Sequence, residues 1–382
     1  MLSRIRRCLF IALANLTQRK MRLLVALAGT GVPIVLLALQ IASLNAARIQ
    51  VTRLYDDFTF DLVLVPYTYQ FLYAGGTFDR VRFNQAHAVP GVADIFGLNV
   101  DTNRWTDLET MRSSSLLLIG IDEQPGFVRD PEMARGLGSL TGTRAVLIDE
   151  FSSSDYGKLA NGTEANISDQ AIEIAGNYQL GLFFYADGSA IARNTDFPQL
   201  SGRDPRTVSI GLVQLENGAD AGVVKAALAG ALPNDVRVLT KSELIAQERT
   251  FFLTTKPLGI VLSTSMWIAF GVGAVILWQV LSADIVNRVK EFATMKAMGF
   301  SQSFVMGVGL AQATFLALGS FLPAIAIAAV ILATIERLTH LPTALTPELS
   351  ANVLAIVLVM CMLAAFSAVR RIARAAPAEL YR

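Results

Sequence analysis

The sequence has very few of the residues that build disulfides and metal sites. Among 382 residues there are two cysteines, Cys8 and Cys361, and two histidines, His87 and His340. Because both cysteines lie in segments assigned below to the cell interior or to lipid, a disulfide framework is excluded. With no cluster of cysteine and histidine, neither a structural nor a catalytic zinc site is expected.

The common catalytic and nucleotide-binding motifs are also missing from the sequence. There is no G-x-x-x-x-G-K-[ST], G-x-S-x-G or H-E-x-x-H pattern, so the chain has no P-loop of its own for ATP. The adjacent acids Asp56-Asp57, Asp122-Glu123 and Asp149-Glu150 are interpreted as solvated surface. We therefore expect no catalytic residue, no cofactor in this chain and no nucleic-acid partner.

Charge is scarce, and this scarcity indicates a membrane protein with a soluble part. Charged residues make up 16% of the chain and hydrophobic residues 53%, whereas soluble domains carry about 25% charged residues. A chain embedded along its whole length would be more apolar. The composition predicts a few spans and a soluble portion with its own core.

Four apolar segments, 23–44, 258–281, 304–335 and 349–369, are long enough to span a bilayer as helices. The first exceeds the apolar run of a cleaved signal peptide and is predicted to be retained. Segment 304–335 is too short for two spans and is interpreted as one extended or tilted helix. Since the spans carry no ionisable residue in their interiors, a carrier driven by protons or sodium is disfavoured.

The distribution of basic residues predicts the orientation. Residues 1–22, predicted as a basic amphipathic helix, contain six arginines and lysines and no acid. The loop 282–303 and the tail 370–382 are also basic, which places them and both termini in the cytoplasm. The segment 45–257 then lies outside, with 18 basic and 26 acidic residues.

The external segment is predicted to form an α+β domain inserted between the first and second membrane helices. Its C-terminal part reads as strand 208–215, an Asn217-Gly218 turn, helix 219–232 and strand 236–239, a β-α-β unit. A matching unit near the start would give a split β-α-β domain. Residues 122–207 are interpreted as a small inserted β subdomain, and 241–257 as a helix leading into the second span.

The cytoplasmic stretch 284–303 carries the most informative pattern. Ile285, Val289, Phe292 and either Met295 or Lys296 recur at helical spacing, and Gly299 is placed to end the helix. Such a helix can dock in a groove of a soluble partner or rest on lipid headgroups. The pattern alone leaves both readings open.

The run from Arg288 to Gly299, RVKEFATMKAMG, resembles the coupling-helix motif of FtsX/MacB-type ABC-transporter permeases (type VII). The tail 376–380, APAEL, and the order of one span, an external domain and three spans are similar too. Segments 22–29, 231–241 and 290–299 further resemble the DevC family of cyanobacterial exporter permeases.

The resemblance implies a homodimeric permease in the inner membrane of a bacterium, by the DevC likeness a cyanobacterium. Two copies of a separate P-loop ABC ATPase, which bind the ATP and magnesium, would drive it by mechanotransmission. A periplasmic adaptor (membrane fusion protein) and a TolC-like outer-membrane channel would assist in exporting a lipid or glycolipid-like amphiphile. The residues implied at the ATPase groove are Arg288, Lys290, Glu291, Phe292, Lys296, Ala297, Met298 and Gly299.

Three alternatives share part of this pattern. They are an FtsX-like regulator of periplasmic cell-wall enzymes, a lipoprotein-releasing permease, and a membrane-anchored sensor or adhesin without an ATPase. The size of segment 45–257 favours transport over regulation, and the 284–303 helix argues against the sensor.

Overall fold

The structure, a computed structural model, describes residues 9–14, 20–122, 124, 126–181, 186–287, 291, 294–295 and 297–374. The chain divides into two compact units. The helical unit comprises Met1–Ala46, Val261–Leu338 and Thr343–Arg382. The mixed unit comprises Ala47–Ile260 and Thr339–Pro342.

The elements are as follows in chain order. The helices are α1 (Lys20–Thr52), α2 (Val81–His87), α3 (Pro131–Leu137), α4 (Phe197–Ser201), α5 (Ala221–Ala231), α6 (Lys241–Thr255), α7 (Pro257–Asn287), α8 (Gln302–Thr339) and α9 (Pro347–Arg374). The strands are β1 (Leu62–Pro66), β2 (Phe78–Asp79), β3 (Val92–Asp107), β4 (Ser113–Ile121), β5 (Ala145–Asp149), β6 (Glu164–Ile167), β7 (Gln170–Tyr178), β8 (Gly188–Arg193), β9 (Thr207–Val208), β10 (Ile210–Leu215) and β11 (Val236–Thr240).

Helices α1, α7, α8 and α9 are long and apolar enough to cross a membrane, and they lie at the four predicted spans. Helix α8 is a single helix of 38 residues that contains Pro323, as predicted for the long third segment. Small residues allow close packing between these helices. A methyl group on Gly29 of α1 would stand 3.0 Å from the Val280 side chain of α7.

Part of the mixed unit has a β-α-β-β-α-β order. Strands β11, β1, β10 and β3 lie side by side, with β1 antiparallel to both β10 and β11. Helices α2 and α5 cover one face of this sheet through a core that includes Leu64, Ala86, Val224 and Leu228. Strand β10, helix α5 and strand β11 occupy the positions that the sequence indicates for a β-α-β unit.

The rest of the sheet closes on itself. Strands β3, β4, β8, β5, β7 and β6 follow one another, and β6 pairs back with β3, which completes a six-stranded ring. The buried Trp105 stacks on Tyr156 in this part and donates its indole N–H to the Tyr156 carbonyl over 3.1 Å. The predicted insert 122–207 therefore supplies four strands of a ring whose other two, β3 and β4, precede it in sequence.

Helix α6 connects the sheet to the helical unit along the chain. Its start is fixed by a capping box between Thr240 and Glu243. Its middle carries Glu248, whose side chain is fully buried. Only Lys256 separates the end of α6 from Pro257, the first residue of α7.

Candidate functional site

The segment 291–300, called here the coupling segment, contains six of the eight predicted site residues, and the structure describes four of these six. Glu291 and Ala297 are helical, and Met298 and Gly299 form the turn that follows. The other four predicted site residues, Arg288, Lys290, Phe292 and Lys296, lie outside the described residues.

The end of this helix is built by a glycine. Gly299 has a φ of +85°, a left-handed conformation in which side-chain-bearing residues are strained. The Phe300 N–H donates to the Met295 carbonyl over 3.1 Å, and the Met298 N–H donates to the Thr294 carbonyl over 3.0 Å. This six-to-one closure is that of a Schellman motif, so Gly299 ends the helix where the sequence predicts.

Met295 anchors the coupling segment, and the other residues of the segment that the structure describes stay at the surface. Met295 is buried in the core of the helical unit, in a cluster that also contains Phe304 and Val305. Glu291, Ala297, Met298 and Gly299 are exposed, with Met298 at 64%. The described residues of the segment therefore present an apolar and acidic surface suited to a protein contact.

Phe300 is a surface residue that the sequence analysis overlooked. Its ring is 39% exposed and stacks on the Phe304 ring with centroids 4.8 Å apart. The available signal was the spacing, since an aromatic residue directly after the C-cap glycine lies four residues before a second aromatic residue. Phe300 extends the exposed apolar surface beyond Gly299.

One member of each acidic pair departs from the expectation of a solvated surface, whereas Asp56 and Glu150 are exposed as expected. Asp149 is fully buried because its carboxylate accepts the backbone N–H groups of Phe151, Leu180 and Gly181 and the Ser189 hydroxyl. Burial raises the pKa of Asp149, while the backbone donors act in the opposite direction. This carboxylate organises the loops around it.

Two further members of these pairs are also partnered. Asp57 is buried, with the Arg53 guanidinium 3.9 Å away. Asp122 is partly buried and accepts from Arg80, from the Asn194 amide and from the Gly97 N–H. These acids serve structure, and among the described residues no group of three or more His, Cys, Asp or Glu side chains could hold a metal ion.

Comparison with known protein families identifies the membrane part. Residues 263–377 match the family described as FtsX-like permease, C-terminal. The chain carries an FtsX-like permease domain. The match runs from within α7 through the coupling segment to α8 and α9. With its four apolar helices, the permease domain makes the chain a membrane protein. No curated protein sequence matches the chain significantly.

Solved structures similar to this chain include external domains of transport proteins. The extracellular domain of the noncanonical ABC-type transporter YknZ from Gram-positive bacteria is 17% identical, with a TM-score of 0.33 over 47% of this chain and 98% of that domain. The periplasmic region of MacB from Actinobacillus actinomycetemcomitans is 10% identical, with a TM-score of 0.34 over 50% of this chain and 94% of that region. A domain of a putative permease protein from Porphyromonas gingivalis is 16% identical, with a TM-score of 0.31 over 48% of this chain and 92% of that domain.

Proposed function

We propose that this chain is the membrane subunit of an ABC exporter driven by a separate cytoplasmic ATPase. Its cargo is a lipid or glycolipid-like amphiphile, which leaves through a periplasmic adaptor and an outer-membrane channel. The working unit is a homodimer with two ATPase copies, and the resemblance of the sequence to the DevC family supports a cyanobacterial inner membrane as its location.

The observation that carries this proposal is the coupling segment within the FtsX-like permease domain. Met295 fixes the segment to the helical unit, while Glu291, Met298 and Phe300 remain at the surface. A rigidly anchored surface is what force transfer requires, because a loosely attached helix would move without displacing the helices behind it. Arg288, Lys290, Phe292 and Lys296 are assigned to the same surface from the sequence motif.

Mechanotransmission follows from how the elements succeed one another. ATP binding closes the two ATPase copies and displaces the coupling segment, which lies between α7 and α8 in the chain. Helix α7 follows α6 after a single residue, and α1 runs unbroken from Lys20 to Thr52. Movement of these helices then displaces the external domain, and the uncharged spans need no polar path for the cargo.

The test is co-purification of the tagged full chain with an ABC ATPase. Met298→Asp places a charge at a 64% exposed apolar position and should lower ATPase retention at least about tenfold, as expected for a central interface residue. Glu291→Ala should act in the same direction. Glu348→Ala is the matched control, since Glu348 is an exposed acid in the first turn of α9 on the predicted outer side.

Absence of an ATPase with the unaltered chain would overturn the proposal and favour an anchored sensor. Equal retention by Met298→Asp and the control would overturn the assignment of the surface. If the ATPase is retained but amphiphile export does not require an adaptor, the regulator and the lipoprotein-releasing permease become the better explanations.

A further inference from the structure

The ring part of the mixed unit holds an open groove of about 660 Å³, called here the polar groove. We propose that the polar groove is a saccharide-binding site. This inference does not depend on the exporter assignment, because the groove lies wholly within the mixed unit. Its described lining residues come from β3, β4, the β6–β7 turn and the residue before β8, and all of them are polar: Thr102, Asn103, Arg104, Ser113, Ser114, Ser115, Ser168, Asp169 and Asp187.

The composition of this lining selects the ligand chemistry. Five hydroxyl groups, one amide, one guanidinium and two carboxylates offer both hydrogen-bond donors and acceptors. Lipid chains and apolar peptides find no apolar lining residue here. The two carboxylates repel anions such as phosphate, and Arg104 repels a metal ion. A neutral ligand rich in hydroxyl groups fits this combination. The volume of the groove lies within the range of small-molecule sites.

Two of these polar groups, the Asn103 Oδ1 atom and the Arg104 guanidinium, lack partners among the described residues. The Asn103 Oδ1 atom is buried and accepts no hydrogen bond within the part of the chain that the structure describes, although the Asn103 amide nitrogen donates to the Ser168 hydroxyl over 3.0 Å. Arg104 is exposed and forms no ion pair with any described residue. The exposed Arg104 guanidinium can donate to a ligand hydroxyl without giving up an ion pair to a described residue.

The turn that carries two of the lining residues is built against local preference. Ile167 pairs with Gln170, so Ser168 and Asp169 form a two-residue hairpin turn with φ values of 47° and 69°. Such turns favour Asn-Gly, because both residues are left-handed. Here both positions keep polar side chains that face the groove. The turn is held against β3 by the Ser168 N–H, which donates to the Arg104 carbonyl over 2.9 Å.

The opposite wall is fixed by a second backbone contact. The Asp187 N–H donates to the Ser115 carbonyl over 2.9 Å, and the Ser115 N–H donates to the Asp187 carboxylate over 3.2 Å. One oxygen of Asp187 is thus committed, which orients the carboxylate along β4. Since the groove is open and none of its described lining residues offers an aromatic ring for sugar stacking, we expect affinities in the millimolar range.

The test uses the full chain in nanodiscs prepared without sugar-headgroup detergents. Neutral trisaccharides (maltotriose, cellotriose and chitotriose) are titrated by saturation-transfer NMR. At least one should bind, and Arg104→Ala should weaken its binding at least fivefold. Arg135→Ala is the matched control, because Arg135 is an exposed arginine on α3 outside the groove, and it should bind like the parent.

Asp169→Gly separates ligand recognition from folding. Glycine relieves the left-handed strain, so this variant should unfold at a higher temperature than the parent and yet bind the trisaccharide more weakly. Loss of binding together with a lower unfolding temperature would overturn the assignment of Asp169 as a ligand-facing group. Absence of binding by every trisaccharide, or equal binding by Arg104→Ala and Arg135→Ala, would overturn the proposal.

The source of the saccharide is distinguished by competition. A galactolipid added to the nanodiscs should displace the bound trisaccharide if the natural ligand is a lipid headgroup. If phosphatidylcholine and galactolipid nanodiscs give the same trisaccharide affinity, the natural ligand is a free or cell-wall glycan. Both outcomes support a saccharide site, and neither requires that the ATPase proposal hold.

Discussion

Replacing Glu248 by glutamine should remove a large part of the pH dependence of stability between pH 5 and 8, to which Asp57, whose pKa burial raises to about 6, also contributes. Its Oε1 atom accepts the hydroxyls of Tyr55, over 2.9 Å, and Tyr69, and its Oε2 atom has no partner in the described part of the chain. Burial raises the pKa of Glu248 from 4.5 to about 7. Burial, with the nearby carboxylate, also raises the pKa of the Tyr69 hydroxyl, which therefore remains a donor.

The direction in which stability changes with pH follows from the raised pKa of Glu248. The folded protein holds the Glu248 proton more tightly than the unfolded chain does, so this contribution to stability is fully present below about pH 4.5. It is lost as the pH rises to about 7. A shift of about 2.5 pKa units corresponds to about 3 kcal/mol. In a domain of about 200 residues this amounts to a change in Tm of about 6–12 °C.

The assay is thermal unfolding of the full chain in nanodiscs at pH 5 and pH 8, followed by tryptophan fluorescence. Glu248→Gln mimics the protonated carboxyl at both pH values, so it should match the parent at pH 5 and exceed it by about 3 kcal/mol at pH 8. Glu243→Gln on the same helix is the control. The Lys225 ammonium holds the pKa of Glu243 below its usual value, and its replacement should give no gain at pH 8.

The reasoning would be refuted if the parent and Glu248→Gln lost the same stability between pH 5 and pH 8. It would also fail if Glu243→Gln reproduced the gain. Glu248→Ala should destabilise at both pH values, because it leaves the Tyr55 and Tyr69 hydroxyls buried without their acceptor. Glu248→Ala thus measures the contribution of the two tyrosine hydrogen bonds separately from that of the carboxylate charge.

Three further predictions address single contacts. Gly299→Ala forces a side chain into a φ of +85° and should weaken the helix end by about 1–2 kcal/mol, measured as reduced ATPase retention with an unchanged Tm of the mixed unit. Asp149→Ala leaves the buried N–H groups of Leu180 and Gly181 unpaired and should cost about 3 kcal/mol or more in thermal unfolding. Asp122→Ala should raise hydrogen exchange at the Gly97 amide about tenfold or more, whereas Asp204→Ala, at an exposed ion pair, should leave it unchanged.

The elements that local patterns predict well are those whose signal is contained in a short stretch. Hydropathy alone places the four long helices, since a span needs about 20 apolar residues. The turn at Asn217-Gly218 and the periodicity of the next fourteen residues indicate β10, α5 and β11. Gly299 as a helix end is also a local signal, because left-handed backbone favours glycine.

Local sequence patterns cannot predict the six-stranded ring, because its strand pairings join distant parts of the chain. Strand β4 runs parallel to β8, with Leu116 opposite Gly188, and β5 runs parallel to β7. Strand β3 extends as far as Asp107. Its second half consists mostly of polar residues, among them Asp101 and Asn103. In sequence it therefore resembles a loop until its partner strands are known.

Burial of charge is unpredictable for the same reason. Asp149 looks like half of an exposed acidic pair, and its neighbour Glu150 is indeed exposed. What buries Asp149 is a set of donors that includes Gly181, 32 residues away in sequence. Within the coupling segment, spacing predicts an amphipathic helix, but only the fold shows that Met295 anchors it and Met298 faces outward.

Strand β3 determines how the mixed unit can respond to force. Its first half, from Val92 to Leu98, pairs with β10, and its second half, from Leu98 to Thr106, pairs with β4. The β-α-β-β-α-β part and the ring thus share one continuous strand. At the junction, the Asp122 carboxylate joins β3 to the end of β8 through the Gly97 N–H and the Asn194 amide. A hinge between the two parts would have to break this ladder. In the proposed mechanism, a displacement delivered through α6 therefore moves the sheet and the polar groove as one body.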